Sequence, residues 1–167
     1  MDITIAGFIV SALAFLLALT SLIKVSRAAS KQEDEGQFNS IPLRLQAYER
    51  LVLLTERISL PNLISRLSKP GISATEMKVA LVENIKQEFE YNTTQQLYVG
   101  QNSWDAVRNL KEQSILLVNQ VAVSLPPNAS AGDLNKKILE ILMSQPSGPI
   151  HELVLKALNE EAKILMR

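Results

Sequence analysis

The chain is predicted to be all-α: one N-terminal transmembrane helix, then a compact bundle of about five helices plus a short one. Three observations carry this. Residues 3–23 hold no charged side chain. Beyond Ser40 the apolar residues recur at helical spacing, with capping residues before them and Pro or Gly after them. No alternation of strand period lasts beyond four residues. The expected domains are an anchor over 1–23, a juxtamembrane linker over 24–40 and a helical bundle over 41–167.

Ile3 to Ile23 would rise about 31 Å as a helix, the thickness of a bilayer's hydrocarbon core. A cleaved signal peptide would start with basic residues and have a shorter apolar stretch. This chain starts Met1-Asp2 and has Lys24 and Arg27 after a long apolar run. Lys24, Arg27 and Lys31 follow the run and no basic residue precedes it, so the positive-inside rule places the bundle in the cytoplasm. The expected location is a cell inner membrane, single-pass, with the N-terminus outside. The sequons at Asn92 and Asn128 would matter only in a glycosylating compartment. Thr4, Gly7, Ser11, Ala14, Ala18 and Ser21 form a stripe of small residues, the candidate transmembrane interface. Small residues allow close helix approach in lipid. Expected partners are therefore membrane lipid and another membrane protein, or a second copy, through the anchor.

Residues 24–40 are polar and charged, are interrupted by Gly36, and read as a linker. Ser40 and Pro42 then open a helix whose apolar side holds Leu45, Tyr48, Leu51, Val52 and Ile58. Glu49-Arg50 and Glu56-Arg57 repeat at seven residues on its polar side. They are read as interhelical ion pairs first, as a docking surface second, and as nothing specific third. Leu60, Leu63, Ile64 and Leu67 make the short helix, closed by Pro70-Gly71. Ser73 and Glu76 form a capping box for a helix running to Tyr91. Thr93 to Gly100 reads as a loop or a last helical turn. Ser103 is expected to cap a long helix from Trp104 to Ser124, whose apolar residues wrap more than one face, as in a central buried helix. Ser130 with Asp133 starts the next. Pro146 to Pro149 separate it from the last helix, which carries Ile150, Val154, Leu158 and Leu165. Repeat signatures of helical solenoids do not recur.

Composition removes several functions. There is no cysteine, hence no disulfide, no thiolate metal site and no thiol nucleophile. The single histidine, His151, rules out a two-histidine metal motif and reads as structural. Lys+Arg and Asp+Glu are both 17, and Lys136-Lys137 with Arg108/Lys111 are too interleaved with acids for a nucleic-acid stripe. Phosphate-loop patterns are absent. Glu83, Glu88 and Glu90, and Glu160-Glu161, read as solvated faces, with Glu83–Lys86 and Glu152–Lys156 as exposed pairs. Trp104 reads as a core anchor. No catalytic residue, cofactor, metal or nucleic acid is expected.

The stretches LRLQAYERLVLLTERISLPNLISRL (Leu43 to Leu67), SATEMKVALVENIKQEFEYN (Ser73 to Asn92) and WDAVRNLKEQSILLVNQ (Trp104 to Gln120) resemble an uncharacterised family of short, single-pass, membrane-anchored bacterial proteins with an all-helical cytoplasmic domain. The resemblance implies the architecture and a bacterial inner membrane, and transfers no catalytic residue. The expected function is a non-enzymatic adaptor or accessory subunit of an inner-membrane complex. The alternatives are a structural homo-oligomer assembled through the anchor, and a small-ligand binder or enzyme with a pocket around Tyr48, Trp104 and the Glu/Arg pairs.

Overall fold

The structure is a computed structural model that describes Lys24, residues 40–146 and residues 148–167. The named elements of the described residues are all helical: α1 (Ile41–Ile58), α2 (Leu60–Leu67), α3 (Ala74–Tyr91), a short 3-10 turn (Thr93–Leu97), α4 (Gln101–Ser124), α5 (Ala131–Met143) and α6 (Ile150–Leu165). Five longer helices and a short one match the expected bundle. The transmembrane part of the expected fold class is corrected. No helix among the described residues is long and apolar enough to cross a membrane. Residues 3–23, with the candidate interface Thr4, Gly7, Ser11, Ala14, Ala18 and Ser21, lie outside the described residues. Over the described residues the fold class is therefore all-α, without a membrane span. Ile41–Arg167 is one compact unit.

The stripes expected on each helix meet in one core. Leu51 and Ile58 of α1, Leu81 and Ile85 of α3, Leu110 and Val118 of α4, Ile138 of α5 and Leu158 of α6 are essentially solvent-free. α1 lies chiefly against α6, and α3 lies against α1, α2, α4 and α5. α4 packs on α1, α3, α5 and α6, as its two-sided apolar pattern requires. It still leaves Leu116 and Val123 in solvent, and α1 and α3 pack on four other helices just as α4 does, so α4 is not by itself the centre of the bundle. Ser59, buried and extended, breaks α1 from α2, and Pro61 fills the first turn of α2. Gly71, at φ +81°, makes the turn into α3 in a conformation only glycine adopts at no cost.

Both capping boxes are present. Ser73 Oγ accepts from Glu76 N, and Glu76 Oε2 accepts from Ser73 N at 2.8 Å and Ser73 Oγ at 2.7 Å. At α5, Asp133 Oδ2 accepts from Ser130 N at 2.9 Å and Ser130 Oγ at 2.7 Å. The two boxes also pair with each other across the chain. Ala74 N donates to Ala129 O at 3.0 Å and Ala131 N donates to Ile72 O at 3.1 Å, an isolated antiparallel bridge between Ser73 and Ser130. A helix start leaves its first N–H groups without partners, and here the residue before each helix's N-cap, Ile72 or Ala129, accepts the first N–H of the other helix.

These boxes make an acid-sensitive contact. Hydrogen bonds from Ser73 hold the Glu76 carboxyl below its ordinary value of 4.5. Those from Ser130 hold Asp133 below 3.8. A depressed carboxyl stabilises the fold above its unfolded value and loses that contribution as pH falls through its folded value. Glu76→Gln with Asp133→Asn should therefore lower the melting temperature at pH 7, and the gap to wild type should close below pH 4.5 for Glu76 and below 3.8 for Asp133. A gap that stays constant into strong acid would show that the carboxylate charge has no part in capping.

Candidate functional site

Along the face where α1 meets α3, the bundle leaves an open groove of about 560 Å³. α1 lines it with Arg50, Leu53, Leu54 and Arg57; α3 and its end line it with Gln87, Glu88, Tyr91 and Asn92. The core stripe of α1 includes Leu51, Leu54 and Ile58, so Arg50, Leu53 and Arg57 fall on the flank that the core does not cover. Leu53 is 62% exposed and Tyr91 is 75% exposed. A leucine and a tyrosine so exposed on one groove form an apolar surface open to solvent.

The charged groups around it differ in their engagement. Arg57 pairs with Glu88 across the two helices: its Nε donates to Glu88 Oε1 at 2.8 Å, and its Nη2 donates to the same oxygen. Glu88 keeps the Arg57 guanidinium above its already high ordinary value, so this residue is always charged. Arg50 has its guanidinium carbon 5.5 Å from the centre of the Tyr91 ring, a cation–π contact. Beyond Arg57 the surface continues into a shallower hollow lined by Leu53, Glu56, Arg57, Asn62, Ser65 and Arg66. There Arg66 Nη2 donates to Arg57 O at 3.2 Å, and Asn62 Nδ2 donates to Glu56 Oε2 at 3.0 Å.

The first-ranked reading of the seven-residue Glu/Arg repeat, interhelical pairing, holds for Arg57 alone among its four members. Its partner Glu88 is corrected from a solvated-face residue to a contact residue, with 16% of its side chain exposed. Glu83–Lys86 is an exposed pair at 3.3 Å. Glu161 is also corrected, since it accepts a hydrogen bond from Tyr48 at 2.7 Å. Trp104 is a core residue, 5% exposed, with its ring centre 5.1 Å from that of Phe89. Tyr48 is 3% exposed. The pocket imagined around Tyr48, Trp104 and the Glu/Arg pairs is thus not assembled: the two aromatic rings are in the core and the arginines line an outer groove. His151 is half-buried in the first turn of α6.

Leu53 and Tyr91 were missed as site residues. Their signal was present, because each is a large apolar or aromatic side chain outside the core stripe of its own helix. Such residues are also common on ordinary surfaces, and only the groove brings these two together. Among the described residues, no group of three His, Asp or Glu side chains could hold a metal ion.

The fold and groove define an all-helical domain whose exposed chemistry is arginine, leucine and tyrosine on one face. Residues 1–165 match a family of unknown function, DUF7935, and the chain belongs to that family. No curated protein and no solved structure matches it.

Proposed function

We propose that the chain is a non-enzymatic adaptor or accessory subunit of a bacterial inner-membrane protein complex, with the groove between α1 and α3 as its docking surface. One observation carries the reading: Leu53 and Tyr91 are both exposed in one groove between two helices that arginines also line. Interface centres are enriched in aromatic residues and arginine, and alanine-scanning hot spots favour tyrosine and arginine. The membrane location is supported by the uncharged composition of residues 3–23 and the basic residues that follow them. The bacterial origin is supported by the sequence resemblance.

Leu53→Asp in the full chain is the test. Position 53 is on the surface, so unfolding stability should stay within about 0.5 kcal/mol of wild type. Copurification in mild detergent should return a stoichiometric heterologous partner with the wild type and lose it with the variant. A partner retained equally by both would remove the groove from the reading. A wild type that yields only a ladder of its own oligomers would replace the adaptor with a structural homo-oligomer.

A further inference from the structure

The unpaired charges of this groove narrow its occupant, an inference that rests on the docking reading above. We infer that the groove between α1 and α3 accepts an acidic amphipathic helix of a partner protein.

The charge argument is the strongest. The groove and the adjoining hollow carry three arginines and two glutamates. Both glutamates already accept hydrogen bonds, Glu88 from Arg57 and Glu56 from Asn62. Arg50 lies over Tyr91 and Arg66 donates to a main-chain oxygen, so among the described residues neither has a carboxylate. The surface offers two guanidinium groups without a carboxylate, Arg50 and Arg66, against one carboxylate without a cation, Glu56, and so keeps a positive excess. Arginine's planar fork pairs with carboxylates through two parallel hydrogen bonds. Tyr91 restrains the Arg50 fork before any partner arrives, which lowers the ordering cost of binding. Charge alone would equally attract phosphate. Two cations, Arg50 half-buried and Arg66 exposed, on a chain of zero formal charge are too few for a nucleic-acid track, and the apolar floor calls for apolar side chains between the anions.

The main chain decides the occupant's conformation. Both walls are α-helices, whose backbone groups bond within their own helix. They offer no free edge for an extended peptide to add to as a strand. An occupant must satisfy its own backbone, and a helix does so while presenting apolar anchors at i, i+3 and i+4. Leu53 and Tyr91 would receive those anchors, and carboxylates flanking the anchor stripe would meet Arg50 and Arg66.

The experiment uses the full chain in mild detergent and a labelled helical peptide of about five turns. One peptide has a leucine stripe flanked by glutamates, and its companion has lysine at every glutamate. Fluorescence anisotropy should show binding of the glutamate peptide and none of the lysine peptide. Arg50→Glu with Arg66→Glu should weaken the first by roughly tenfold, the effect of losing two surface charge contacts, and should confer binding of the second. Leu53→Asp should weaken both combinations. Equal binding of both peptides to the wild type would overturn the acidic specificity and leave the groove as an apolar docking site. Arginine-dependent binding to phosphatidylglycerol vesicles, with no binding of either peptide, would overturn the helix in favour of lipid headgroups. Failure of every probe would overturn this inference, while the copurification with Leu53→Asp separately judges the groove.

Discussion

Trp104→Ala is expected to lower the stability of the bundle by about 3–5 kcal/mol, the usual cost of deleting a large aromatic ring from a core. The ring is 5% exposed and sits in the first turns of α4, tilted 33° against Phe89 on α3. Lys111, further along α4, places its ammonium 4.5 Å from the Phe89 ring, so two side chains of α4 pack on Phe89. The pair ties the start of α4 to the end of α3, and each of these two helices packs on four others. A cavity here would be felt across the bundle, since cores relax only partly around a deletion. Thermal unfolding followed by far-UV circular dichroism should show a loss of roughly 10–20 °C for a domain of this size. Trp104→Phe should recover much of it by keeping a ring against Phe89. A loss below about 1 kcal/mol for the alanine variant would place the ring at the surface, against the burial on which the core account depends.

What could be read from the sequence was what is local. The boxes at Ser73/Glu76 and Ser130/Asp133 need only four consecutive residues, and both formed as spaced. The apolar stripes of α1, α3, α5 and α6 likewise follow from a period of 3.6 residues. The bridge that joins the two boxes was not legible, because it pairs backbone groups more than fifty positions apart and leaves no mark on side-chain pattern. The expected cap at Ser103 was overturned for a related reason. α4 begins at Gln101 with Gly100 at its N-cap, and Ser103 is buried within the first turn, 1% exposed. A serine before an apolar run is a true signal only when no distant group caps the helix first. Gln101 and Asn102 are polar enough to belong to either loop or helix, so local preference did not decide the boundary. The same limit applies to the groove. Several glutamates on α3 had the spacing to be solvent-facing, and which of them meets Arg57 depends on how α1 and α3 slide past each other.

The distant group is Tyr48, and its hydroxyl gives the second large expected effect. It donates to Glu161 Oε2 at 2.7 Å and accepts from Gly100 N at 3.0 Å, so one phenol on α1 joins α6 to the start of α4. Glu161 thereby brings a carboxylate to a helix N-terminus, where the partial positive charge of the unpaired N–H groups favours it. The approach leaves no room for a side chain at Gly100: a Cβ there would lie 2.7 Å from Glu161 Oε2. Tyr48→Phe keeps the buried ring and removes only the oxygen. It leaves the Gly100 N–H without its acceptor and the Glu161 carboxylate without its donor, at an expected cost of about 1–3 kcal/mol. Gly100→Ala should cost no more than this, because the carboxylate tip can swing aside at the expense of the same bond. Combining it with Tyr48→Phe should therefore give less than the sum of the two. The latch also has an alkaline signature. Burial is the main cause that raises the Tyr48 phenol above its ordinary value of 10.0, with Glu161 adding to it and the Gly100 bond opposing. A raised value means stability that is whole below 10.0 and is lost as pH rises through the folded value. Wild type should accordingly lose stability above pH 10.0 faster than Tyr48→Phe does, measured by denaturant unfolding of both chains across that range. Parallel curves, or a phenylalanine variant within about 0.5 kcal/mol of wild type at neutral pH, would mean that the hydroxyl joins the three helices without stabilising them.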